Sequence, residues 1–152
     1  MDKNSALIDL SESERTRFGK EDFSVQSLPQ KVFSAIWAAE SEINNGGFAQ
    51  YFLNHSCETA SFVVEAFEAI GAPRTADICR RAIAVAFPDG LPSAPDAIAD
   101  AAAGFTDETT EQLEALNNEF FQYPHNLTDL LFTFVSHHPE EFGPLPEVDD
   151  AS

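Results

Sequence analysis

From Leu28 onward, apolar residues recur at intervals of three and four, the period of a helix with one buried face. Val32, Phe33, Ile36, Trp37 and Ile43 form the first such stripe, with Pro29 in a first-turn position. Asn44-Asn45-Gly46-Gly47 is predicted to stop that helix, because Asn and Gly tolerate the left-handed backbone of a C-cap. A short helix then carries Phe48, Tyr51 and Phe52 and ends near Asn54. Ser56 or Thr59 is expected to cap the next, whose stripe of Phe62, Val63, Ala66, Phe67 and Ile70 runs up to Gly71. Pro73 opens a further helix with Ala76, Ile78, Cys79, Ala82, Ile83 and Phe87 apolar, until Pro88-Asp89-Gly90 breaks it. After a proline-rich loop, an Ala-rich helix is predicted from Pro95 to Ala103.

Thr106 reads as the N-cap of a helix over 107–122 that buries Leu113, Leu116, Phe120 and Phe121, with acids in its first turn where the helix dipole favours them. A last helix, starting at Asn126 or Thr128, carries Leu127, Leu130, Leu131, Phe134 and Val135 and closes at His137-His138-Pro139. No stretch alternates with the period of a strand. The pattern predicts an all-α fold, a single compact domain of six to seven helices. A polar, partly helical segment over 1–27, anchored by Ala6-Leu7-Ile8 and Phe18, precedes a helical domain over 28–142 and a mobile acidic tail over 143–152.

Composition adds a core and a charge problem. Fourteen Phe in 152 residues exclude a disordered acidic chain. No apolar run approaches the ~18 residues of a membrane span. The N-terminus holds no apolar stretch of a secretory signal, so a cytoplasmic protein is expected. Net charge is −18, and its distribution matters more than its size. All eight Lys and Arg lie before residue 82, while Ala82–Ser152 carries fourteen Asp and Glu and no cation. Those anions must stay bare, be met by a distant Arg, or be met by a partner. A field of this sign repels nucleic acid and anionic lipid and draws basic partners in.

Cys57 and Cys79 are not expected to bridge. In a hairpin turning near Gly71-Ala72-Pro73 they would sit about 21 Å and about 9 Å from the turn, out of level with each other. Reduced, structural thiols follow.

The stretch Asn44-Asn45-Gly46-Gly47-Phe48-Ala49-Gln50-Tyr51-Phe52-Leu53-Asn54 is the most distinctive. It lacks the Lys of a phosphate-binding loop, and it explains itself as a tight corner between helices. Its glycines supply unusual backbone angles, Asn45 or Asn44 bonds freed backbone groups, and Phe48, Tyr51 and Phe52 plug the core. Asn45, Gly46, Gly47, Phe48, Gln50, Tyr51, Phe52 and Asn54 are therefore expected to be structural. The same run, followed by a helix ending Ala69-Ile70-Gly71-Ala72, resembles the small helical proteins of domain-of-unknown-function family 4375. The resemblance covers about residues 28–140 and is specific in the central run. It implies an all-helical domain without known catalytic residues. A characterised member is a bacterial DNA mimic that binds a transcription factor and blocks its access to DNA, which implies that kind of role. No residue of the shared run carries a role over.

Function is sought instead in the charges. Asp107, Glu111, Glu114 and Asn118 follow a 0, 4, 7, 11 spacing opposite the buried stripe, with Glu108 beside the row and Glu119 extending it. Along the axis these carboxylates stand about 4.5–6 Å apart, a sparser ladder than DNA phosphates at ~3.4 Å per strand. Like charges four apart weaken a helix, and a purely structural helix would place a Lys among them. Asp100 and Asp129 are candidates to widen the face.

The four histidines show no metal spacing, no nucleophile–base pair stands out, and Arg74, Arg80 and Arg81 are expected to neutralise neighbouring acids. No catalytic residue, metal or cofactor is therefore expected, and direct nucleic-acid binding is excluded by charge. The expected function is non-enzymatic: an acidic decoy for a basic protein, in the first place a helix-turn-helix transcription factor. An immunity or antitoxin-type module, or an enzyme of unfamiliar kind, are the alternatives. A homodimer is compatible with the sequence.

Overall fold

Ser27 starts the longest helix. Its hydroxyl accepts from the Gln30 backbone N–H while the Gln30 side chain accepts from the Ser27 N–H, a reciprocal cap that fixes the chain entry. A computed structural model describes residues 2–11 and 22–142. Its α-helices in chain order are α1 (Lys3–Ser11), α2 (Leu28–Leu53), α3 (Val63–Ala69), α4 (Pro73–Ala86), α5 (Pro95–Ala103), α6 (Asp107–Phe121), α7 (Leu127–Ser136) and α8 (Pro139–Phe142). Short 3-10 turns cover Phe23–Val25 and His55–Thr59, and the described residues contain no strand. The all-α expectation holds. Among the described residues there are eight α-helices: the predicted stop over 44–47 is crossed, so that α2 runs on to Leu53, and one more turn, α8, forms after the Pro139 boundary.

Helix α2 is the spine: α3, α5 and α6 pack on it, α4 closes against α3 and α6, and α1 lies on α7. Its buried face runs through Val32, Phe33, Ile36 and Ile43, as the spacing predicted, takes in Ala39 as well, and continues through Phe48, Tyr51 and Phe52, while Trp37 of the predicted stripe is only partly buried. Around it lies an aromatic cluster. Phe52 meets Phe87 and Phe105 edge-on at 5.1 and 6.4 Å, and Phe120 stands edge-on to both Phe48 and Phe67. Such T-shaped contacts add to the burial of large rings. Ala6, Leu7 and Leu10 bring α1 into the core, while Ile8 faces out at 40% exposure. Phe18 and the tail over 143–152 lie outside the described residues.

Two expected caps are corrected. Neither Ser56 nor Thr59 caps α3, whose N-cap position is Phe62. Both belong to the 3-10 turn instead, where buried Thr59 donates to the Ser56 carbonyl and shares a 2.6 Å hydrogen bond with the Tyr51 hydroxyl. Phe121 is 45% exposed rather than buried. Two expected N-caps stand: Thr106 accepts from Thr109 N–H, and Asn126 from Asp129 N–H.

Both cysteines are free and buried. Burial pushes the Cys79 thiol up to about 12, and it raises Cys57 as well. The thiolate is the reactive form. In native protein at pH 8, both thiols should therefore react with a disulfide reagent far more slowly than in denaturant, where two equivalents should be released at once.

Candidate functional site

The central motif proves to be an anchored bend. At Gly47 φ is 80° and ψ −177°, a conformation essentially closed to residues with a Cβ, and the two halves of α2 meet there at an angle. The bend frees the Phe48 backbone N–H, which donates to Asn117 Oδ1 on α6 at 2.8 Å. A Cβ on Gly47 would collide with that same amide. Sequence reasoning expected Asn44 or Asn45 to bond the freed backbone. Asn44 instead donates to the Tyr123 hydroxyl at 2.7 Å, Asn45 stays exposed, and the bonding falls to Asn117.

Across the bend, Gln50 and Asn54 both donate to one carboxylate oxygen of Glu42, at 2.9 and 2.7 Å. Tyr51 and Phe52 are fully buried. The motif thus holds α2 bent and seats α6 against the bend.

That seating decides which face of α6 is left over. Leu113, Leu116 and Phe120 turn into the core against α2 and α4. Asp107, Glu108, Glu111 and Glu114 remain exposed, and no ion pair reaches any of them among the described residues. From Asp107 to Glu114 the row advances about 10 Å, the axial reach of about three phosphates on one DNA strand. Asp107 and Glu108 gain from the helix dipole; Glu111 and Glu114 lie beyond its first-turn reach. Asp100, at the end of α5, is likewise exposed.

Two of the candidate residues stand apart from the row. Glu119 is held in a two-pronged pair by Arg81, at 2.8 and 2.9 Å, and Arg81 also takes Asp77 at 3.0 Å. Asp129 on α7 pairs with Lys3 of α1 at 3.1 Å. Distant cations, one of the alternatives for the cation-free half, therefore meet the charge at these two positions. Arg80 binds Glu68 and Asp77, so Arg80 and Arg81 neutralise acids as expected. Arg74 makes no ion pair among the described residues, and its backbone N–H donates to His125 Nε2.

The Arg81 hydrogen bonds hold the Glu119 carboxyl below the usual carboxylate range. A lowered carboxyl value stabilises the fold above the ordinary range, and that contribution is lost as pH falls through the lowered value. Arg81→Gln should return the Glu119 titration, followed by carboxyl NMR, toward the ordinary value. The stability gap between this variant and the wild type should close on acidification.

Among the described residues no three His, Cys, Asp or Glu side chains gather in metal-binding geometry, and no helix is long and apolar enough to cross a membrane. Sequence reasoning missed Asn117, Glu42 and Tyr123. Glu42 was within reach of it, since positions 42, 50 and 54 bring three polar residues to one side of the bend. Asn117 gave no signal, being one of two adjacent asparagines on a polar face.

No curated protein and no solved structure matches the chain. Family comparison matches residues 26–138, from just before the α2 cap to just beyond α7, to the family described as DMP19-like protein. That span takes in the bent α2, the Asn117 anchor and the whole acidic row of α6, and on it the chain belongs to the DMP19-like protein family.

Proposed function

We propose that this protein is a DNA mimic, which presents the α6 carboxylates to the basic, groove-facing surface of a DNA-binding protein and so excludes DNA. The observation that carries the reading is the row Asp107, Glu108, Glu111 and Glu114: exposed, in register along one helix, and without counter-cations among the described residues. Membership of a DMP19-like family supports it, since the family resemblance implies a protein that blocks a transcription factor's access to DNA.

The mechanism is competition without chemistry. A regulator's Arg and Lys that contact phosphates would exchange one set of anions for another, so the decoy needs neither a catalytic group nor a cofactor. The partner class is a basic protein, foremost a helix-turn-helix transcription factor, whose recognition helix sits between backbone contacts spaced along the duplex. Association would be fast and steered by the field, and weakened as salt screens it.

The test begins with capture of DNA-binding proteins on the immobilised chain. Each captured protein is then bound to its own labelled operator and titrated with the free chain. Release of the operator, at concentrations that rise steeply between 50 and 200 mM salt as phosphate-type contacts require, is the expected result. Capture of a toxin, or of a DNA-binding protein that keeps its operator bound, would overturn the reading.

A further inference from the structure

Glu40 stands away from the α6 row, on α2, and is half-buried at the wall of a cleft of about 150 Å³ between α1, α2 and α7. One of its oxygens, Oε1, accepts from the Tyr123 hydroxyl at 3.0 Å, and that hydroxyl in turn accepts from Asn44. Tyr123 is placed for this by a left-handed backbone, φ 47°, at the end of α6. The second oxygen has no hydrogen bond among the described residues. Burial lifts the Glu40 carboxyl above the usual carboxylate range, as it does any carboxylate short of counter-charge.

The nearest cation on α1 does not relieve it, because Lys3 is engaged with Asp129 and lies over the Phe132 ring. Leu7 and Leu131 supply apolar wall, Ser41 and Thr128 supply hydroxyls, and the Trp37 ring lines the cleft with Phe33 stacked on it at 5.3 Å.

We infer that this cleft is a subsite for one lysine side chain of a protein partner, its ammonium on the free oxygen of Glu40 and its methylenes against Leu7, Leu131 and Trp37. Three features select that occupant. The cleft is well below the roughly 300–1,000 Å³ of sites for drug-sized ligands, and close to a cavity that holds one benzene. A half-buried carboxylate lacking a counter-cation favours a cation over a neutral group. Apolar walls leading to a charged end match the long apolar stem and compact head of lysine.

The subsite deepens the reading of the chain as a decoy for a basic protein and takes the source of its lysine from that reading. It shares no residue with the α6 row, so the two stand or fall by separate measurements.

Trp37 is the chain's single tryptophan and reports on the cleft directly. The probe is Nα-acetyl-lysine amide, added to the full chain at constant ionic strength, with the Nε-acetylated compound as its uncharged counterpart. A saturable change in Trp37 emission is expected with the first compound only, half-complete on the order of millimolar for a ligand of this size. Glu40→Gln, which keeps the side-chain volume and an acceptor for Tyr123, should abolish it. Glu65→Gln, an exposed acid on α3, should leave it unchanged. A response that does not saturate, that the neutral compound reproduces, or that survives in Glu40→Gln would overturn the subsite. Tighter, Glu40-dependent saturation by spermidine at the same ionic strength would overturn its assignment to a protein side chain.

Discussion

Replacing Gly47 with Ala is expected to remove about 2–6 kcal/mol of folding stability, from two costs with a common origin. Forcing a residue with a Cβ into the extended positive-φ region costs about 1–3 kcal/mol. The new methyl also displaces the Asn117 amide, whose Cγ would lie 2.9 Å from it. The Phe48 N–H then loses its acceptor beside a 1%-exposed side chain, and an unmet buried donor costs a further ~1–3 kcal/mol. Against a typical total of about 5–15 kcal/mol this is a large fraction. The melting temperature should fall by roughly 5–20 °C for a domain of this size.

Gly46→Ala should cost much less. Its φ is ordinary, and its Cβ meets only the Gln50 side chain: the carboxamide can swing aside at the expense of one hydrogen bond to Glu42, and the Gln50 Cβ, at 2.9 Å, asks only a small backbone shift. Urea unfolding of both variants checks the difference. Equal midpoints for the two would show that the bend does not depend on Gly47. Asn117→Ala combined with Gly47→Ala should be less damaging than the sum, because both remove the same Phe48 bond.

Reversing two charges on α6 should separate binding from stability. With Glu111→Lys and Glu114→Lys together, competition for a captured regulator should weaken about a hundredfold or more. Attraction to a basic surface becomes repulsion, and like-charge juxtaposition at an interface costs several kcal/mol. The fold should move the other way or not at all. Asp107 and Glu108 stand four and three positions before residue 111, repulsions worth a few tenths of a kcal/mol each that Glu111→Lys turns into attractions, while positions 111 and 114, both lysine in the variant, repel as the two glutamates did. A variant that melts no lower than the wild type yet no longer displaces DNA is therefore the expected outcome.

Glu119→Gln serves as the comparison, since Arg81 already occupies that carboxylate, and it should shift competition only slightly. If the double reversal left competition intact, the row would be a solvated face and the contact would lie elsewhere.

Local signals in the sequence account for the helices. The three-and-four spacing of Val32, Phe33 and Ile36 and of Leu113, Leu116 and Phe120 states which face is buried, because burial of a helical stripe depends only on the period. Thr106 and Asn126 name two helix starts for an equally local reason: a cap bonds the backbone two or three residues ahead. Where a residue's partner is remote, the reading fails. Thr59 looked like a cap and is a partner of Tyr51; Asn44 looked like a backbone clamp and reaches Tyr123, 79 positions away.

The candidate site divides along the same line. Composition and spacing were enough to pick out Asp107, Glu108, Glu111 and Glu114, since one helix sets their register. The same reading placed Glu119 and Asp129 on that face as bare charges, and there it fails, because Arg81 and Lys3 meet them across 38 and 126 positions.

By itself the sequence determined that this chain is helical, that its core is aromatic, and that its second half carries anions without cations of its own. Only the tertiary structure decided that Gly47 bends α2 around Asn117, which acids keep their charge exposed, and that Glu40 lines a cleft with one oxygen unmet among the described residues. The reason is physical: helix period and net charge are sums over neighbours in the chain. Hydrogen bonds, ion pairs and clefts depend on which distant atoms the packed core brings within about 3 Å.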